Sequence, residues 1–161
     1  MITETSRSQI AEIIGHYPPE HKRSALLPAL HIAQKENRGC LTEELMKEVA
    51  EILEITPLQV FEVATFYTMY NLKPVGRYHI QVCRTLPCAL MGAEKLTSYL
   101  EDKLGIELGG TTPDQLFTLT EVECLASCGT APMMQINDDY HENLNKNKVD
   151  KILEYLRQKA R

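Results

Sequence analysis

A chain of 161 residues is near the usual size of one domain and long enough for two small ones. Its 43% hydrophobic content fits a folded soluble protein rather than a disordered one, and a formal net charge of −5 argues against a nucleic-acid binder, which would carry a basic patch. The longest apolar runs, such as Ala25 to Leu30, cannot span a bilayer, and the stretch from Met1 to Arg7 has no signal-peptide core. The expectation is a cytoplasmic protein without direct membrane insertion. Disulfides are rare in that compartment, so five cysteines point to metal or redox chemistry.

The first half reads as helix. Ser6 or Ser8 is placed to cap a first helix running toward His16, with Ile10, Ile13 and Ile14 on one face. Tyr17-Pro18-Pro19 breaks it. A second helix is expected over about Lys22 to Asn37, with Leu26, Leu27, Leu30 and Ala33 apolar and Gly39 as a C-cap glycine. Thr42 caps a third, with Glu43 and Glu44 at the positive end of its dipole. Thr56-Pro57-Leu58-Gln59 is a capping-box pattern that opens a fourth. Its apolar and aromatic residues, from Val60 through Phe61, Phe66 and Tyr67 to Tyr70, cover several sides, which predicts burial in a core or under a partner. Residues 71–76 read as a linker.

The pattern changes at Arg77. Tyr78 to Val82 alternates as a strand does and leads into Cys83. Ala89 to Leu104 returns to helical spacing, closed by Gly105. Phe117 to Val122 alternates again and runs into Cys124. Pro132 to Ile136 is a third strand, Tyr140 opens a short fourth, and Val149, Ile152, Leu153 and Leu156 mark a last helix. The fold class expected is α+β: a helical domain over residues 1–74, then an α/β domain over 75–161.

Two cysteine pairs stand at the ends of the two longer strands. Four residues separate Cys83 from Cys88, three separate Cys124 from Cys128, and thirty-five lie between the pairs. Thiolates select zinc, copper(I) or iron–sulfur clusters, and both tight spacings occur in structural zinc sites. Three features favour iron–sulfur. No histidine lies near either pair, so the donor set is four sulfurs. Thr85, Ala126, Ser127, Gly129 and Thr130 are small, which leaves backbone N–H groups free to approach sulfide. Pro87 stiffens the first loop. Zinc stays open on spacing alone, as in a zinc-stabilised adaptor without a redox role. Cys40 has no cysteine nearby and reads as a small buried hydrophobe. His79, within a strand, reads as structural.

Motifs over nearly the whole chain also carry a family resemblance. They are Leu30-His31 with Gln34 and Gly39, Thr65-Phe66-Tyr67, Pro74-Val75-Gly76, Val82-Cys83, Pro87-Cys88 and the loop from Gly109 to Asp114. Further along come Phe117-Thr118-Leu119, Val122-Glu123-Cys124-Leu125, Cys128, Ala131-Pro132 and Ile136-Asn137-Asp138. In these the chain resembles the E, or 24-kDa-type, subunits of respiratory complex I (NADH–quinone oxidoreductase), which are thioredoxin-like two-iron ferredoxins. Ala126 departs from the glycine usual there. The resemblance implies one [2Fe–2S] cluster on Cys83, Cys88, Cys124 and Cys128, in a thioredoxin-like domain behind a helical one. It implies an electron-transfer role within an NADH dehydrogenase, with no substrate site on the chain itself. The implied partners are a flavoprotein holding FMN and NADH and the remaining peripheral-arm subunits, on the inner face of the membrane. In the family the cluster lies near the flavin, off the main route to quinone, and accepts one electron from it. The equivalent diaphorase subunit of an NAD-linked hydrogenase or formate dehydrogenase is the alternative assembly.

Overall fold

The computed structural model describes residues 1–160 and divides into two compact units, Met1–Pro74 and a second that begins at Val75. In the first unit α1 (Glu4–Ile14) is followed by a 3-10 segment (Pro19–Ala25), α2 (Leu26–Glu36), α3 (Glu43–Leu53) and α4 (Pro57–Phe66). Thr3, not Ser6 or Ser8, caps α1: its side chain accepts from the Ser6 N–H. Ser6 lies inside the helix and is buried, so it cannot also stand at its entrance. The second helix starts later than expected, because Pro19–Ala25 winds as 3-10 turns with a kink at His21. Gly39 sits two residues beyond the Asn37 C-cap, at φ +84°, and its N–H closes back on Gln34 O at 2.8 Å. Thr42 caps α3 as expected, and the Thr56/Gln59 capping box is present in both directions.

The core of this unit is Ile10, Leu30, Leu41, Val49, Leu53 and Val60 with their neighbours, each fully buried side chain contributing roughly 2 kcal/mol. One expectation fails here. Only Val60 and Ala64 of α4 are fully buried, while Leu58 is 66% exposed and Phe66 76%. The apolar residues of this helix outnumber the positions that its single contact face offers, so the surplus is turned outward. Tyr70 is the aromatic of the stretch that enters the core; its hydroxyl donates to Leu27 O at 2.9 Å.

The second unit runs β1 (Tyr78–Cys83), α5 (Leu86–Leu90), α6 (Ala93–Leu104), β2 (Phe117–Val122), β3 (Met134–Ile136), β4 (Asp139–His141) and α7 (Lys146–Ala160). The sheet order is β2-β1-β3-β4, with β1 and β2 parallel and β3 antiparallel to β1 and to β4. Register puts Tyr78 beside Phe117, and Ile80 beside both Leu119 and Ile136. These residues share one apolar face, buried with Leu96 and Leu100 of α6 and Val149 and Leu153 of α7. Tyr99 of α6 donates to Asp150 of α7 at 2.8 Å, and Lys103 pairs with the same carboxylate at 3.0 Å. The opposite face is polar, with His79 bonded to Thr120 at 2.8 Å. His79 is buried there, which lowers its pKa, in line with a structural role.

The helix expected from Ala89 to Leu104 is two helices. Gly92, at φ +93°, separates α5 from α6 and N-caps the latter. Cys88 therefore lies inside a short helix of its own.

Candidate functional site: two cysteine loops at one sheet edge

Parallel pairing decides where the cysteines go. Because β1 and β2 run the same way, both chains leave the sheet at one edge, with Cys83 opposite Val122. Cys124 follows two residues later. The backbone continues the ladder past the strand, since Arg84 N–H donates to Val122 O at 3.1 Å. Cys83 N–H reaches Met133 O at 3.3 Å, which brings the segment before β3 to the same edge.

The first pair is held in regular structure. Cys83 ends β1 and Cys88 sits in α5, 2% and 1% exposed. Cys83 Sγ lies 3.5 Å from Thr85 Oγ1. Burial pushes the Cys83 thiol up, but hydrogen bonds from the Thr85 hydroxyl and N–H, the Leu125 N–H and Cys88 outweigh it and hold the thiol below its ordinary range. Cys88 is the converse. Burial and the neighbouring Cys83 raise it to about 11, and the Cys128 charge adds to that. Cys83 and Cys88 thus touch, and Cys128 is near enough to be felt.

The second pair lies on irregular chain. Cys124 and Cys128 are exposed. Cys124 Sγ accepts from Ala126 N–H at 3.3 Å, and Ala126 is at φ +57°, a left-handed conformation that a Cβ disfavours. Ser127 and Thr130 hydroxyls both reach Glu142 Oε1, the Thr130 contact at 2.7 Å, and these bonds lower the Glu142 pKa, Ser127 foremost. Nothing in the sequence pointed to Glu142, since no spacing rule links it to the cysteines. Outside the thiols, Arg84 pairs with Glu123 at 2.7 Å and with Glu121 at 3.8 Å, which leaves these three groups one net negative charge.

This donor set fits an iron–sulfur cluster. All four thiols are free of disulfide, and backbone N–H groups of Thr85, Leu125, Met133 and Ala126 already point at three of the sulfurs. Such N–H···S bonds favour thiolate, the ligating form, and tune a bound cluster. The pairs are presented as two separate loops, and among the described residues no three His, Cys, Asp or Glu side chains converge on a single-ion site. Cys40 stands apart in the helical unit, buried, with its thiol pushed up by desolvation.

A mixed sheet flanked by helices, with thiols at one edge, defines a ferredoxin built on a thioredoxin-like frame. A family model of the thioredoxin-like [2Fe–2S] ferredoxins matches residues 10–157, and the chain belongs to that family. It is 53% identical over 142 residues to the E-type subunit of the NADH-quinone oxidoreductase of Rickettsia prowazekii, covering 88% of this chain and 80% of the relative. It is 48% identical over 153 residues to one of the E-type subunits of the NADH-quinone oxidoreductase of Rhizobium meliloti, covering 95% and 89%. Its fold also matches a chain of an NAD+-reducing [NiFe]-hydrogenase, with a TM-score of 0.71 at 23% identity over 83% of this chain. The match spans only 23% of that hydrogenase chain, so it speaks to the fold alone.

Proposed function

We propose that the chain holds one [2Fe–2S] cluster on Cys83, Cys88, Cys124 and Cys128 and serves as the electron-transfer component in the NADH-oxidising module of NADH–quinone oxidoreductase. The observation that carries this reading is the convergence of two free-thiol pairs at one sheet edge, in a chain 53% identical, over 88% of its length, to a 24-kDa-type component of that complex. When bound, the cluster supplies a one-electron redox centre. The chain's own part is to deliver four thiolates, aim N–H donors at them, and surround them with the Arg84–Glu123 pair, whose opposite charges largely offset each other.

The partner in this reading is a flavoprotein with FMN and NADH, within a peripheral arm on the inner face of the membrane. No helix among the described residues is long and apolar enough to cross a membrane. Leu86, Leu90 and Met91, on and just after the helix that carries Cys88, are 70%, 77% and 61% exposed. An apolar cluster left wet beside a redox site suits a protein surface that comes and covers it. The domain boundary near residue 74 is part of the same proposal, with the helical domain's exposed Phe61 and Phe66 as a second docking surface.

The test is chemical. Purified chain should contain two iron and two acid-labile sulfide per polypeptide, roughly, as the cluster formula requires, and show a reduced-state EPR signal. A colourless preparation with stoichiometric zinc and no sulfide would overturn the reading. Co-purification decides the assembly: complex I subunits support it, and a hydrogenase or formate dehydrogenase module replaces it. Leu86→Ser with Leu90→Ser should weaken flavoprotein capture while leaving the iron content unchanged.

A further inference from the structure

The second cysteine loop has little to hold it. It is exposed, it contains a residue at φ +57°, and Gly129 has no atom within 4 Å of where a Cβ would stand. Its fixed points lie at its C-terminal side. Ser127 Oγ and Thr130 Oγ1 are 2.7 Å apart, and both reach the same oxygen of Glu142. Each hydroxyl has one proton to give, and an ionised carboxylate only accepts. Two donors aimed at one charged acceptor form a clamp of charge-assisted bonds, stronger than bonds between neutral groups. Two backbone bonds run alongside it: Asn143 N–H to Thr130 O at 2.7 Å and Leu144 N–H to Pro132 O at 2.9 Å. Ser127 immediately precedes Cys128, so whatever fixes the Ser127 side chain fixes the point from which Cys128 departs.

We propose that Glu142 is a positioning residue for the cluster: by gripping Ser127 and Thr130 it holds the Cys124–Cys128 loop in ligating geometry. This rests on the reading that Cys124 and Cys128 are ligands. Glu142 touches no thiol; it acts through the two hydroxyls. The clamp is needed here and not at the first pair, because Cys83 and Cys88 are already fixed by a strand, a helix and burial.

Three full-length proteins test it: parent, Glu142→Ala and Glu142→Gln. The glutamine carbonyl can still accept from both hydroxyls, whereas alanine accepts from neither. Losing a supporting contact behind a metal ligand typically costs about tenfold in metal retention. Glu142→Ala should therefore release iron to a chelator about tenfold faster than the parent, with a broadened reduced-state EPR line. Glu142→Gln should stay within about twofold of the parent, with the parent line shape. Unfolding of the cluster-free chain should be alike in all three. Alanine matching the parent in both iron release and line shape would overturn the clamp. Glutamine as damaging as alanine would overturn it too, because charge rather than hydrogen bonding would then be responsible. If the parent itself carries no iron or sulfide, the ligand reading fails first, and that outcome is distinct from either.

Discussion

The two cysteine pairs are built in opposite ways. Cys83 and Cys88 are buried, carried on regular structure, and surrounded by donors from their own neighbourhood. Cys124 and Cys128 are exposed, carried on irregular chain, and secured from outside by Glu142 and the segment after β4. A site made this way has one half formed by folding and another half that closes onto it. The difference teaches that four equivalent ligands in a formula need not be equivalent in the protein. Removing one should have different consequences on the two sides.

The largest expected effect breaks the first half. Cys83→Ser or Cys88→Ser should abolish stable cluster incorporation, read as iron and sulfide content. Cys124→Ser or Cys128→Ser should leave a weakened or altered cluster with a changed EPR spectrum, because an exposed loop can adjust. Cys40→Ser should change neither, as that thiol lies in the other unit. Equal loss from all four positions would erase the asymmetry.

Next in size is a strike at the sheet that carries the first pair. A Cβ on Gly76 would stand 2.8 Å from the Phe117 carbonyl carbon, a backbone atom that cannot swing away. Gly76→Ala should cost about 2 kcal/mol of stability, seen as a lower denaturation midpoint. The surviving folded protein should keep its EPR line, because both cysteine loops leave the opposite end of the strands.

Thr56→Ala removes the capping box of α4, in the helical unit. About 1 kcal/mol should be lost there, with iron retention unchanged. A cluster that fell away with this cap would show that the loops do not account for their own difference.

The smallest effect is a gain. Ala126→Gly removes the Cβ penalty at φ +57°, worth roughly 1 kcal/mol less the added freedom of the unfolded chain. Cluster release should slow about two- to threefold, as a net gain near half that penalty predicts. Gly92 and Gly109 already occupy positive φ with no such penalty.

Strand assignments and helix caps were legible in the sequence wherever a local rule decided them. Tyr78–Cys83 and Phe117–Val122 alternate because one face of the sheet is apolar and the other polar, and Thr42 and Thr56 cap because their hydroxyls reach the N–H three residues on. The misses share a cause in tertiary context. Helical spacing runs unbroken through Gly92, so only its φ reveals that α5 and α6 are separate. Composition shows that α4 is apolar but not how many of its sides find a neighbour. Thr3 outcompetes Ser6 for the cap of α1 because Ser6 is drawn inward by packing. Glu142 was invisible because its tie to Ser127 exists only once β3 and β4 fold back beside the cysteine loop.

The parallel pairing of β1 and β2 has one further consequence. The thirty-five residues between the cysteine pairs are the travel distance of a crossover, not a ligand spacing. Chemistry at the edge answers only to where the two strands stop. The intervening contour is thus free to lengthen or shorten over evolutionary time without any thiol moving. A search that fixed that separation would overlook distant kin, whereas one that allowed it to float and demanded a strand before each pair would find them.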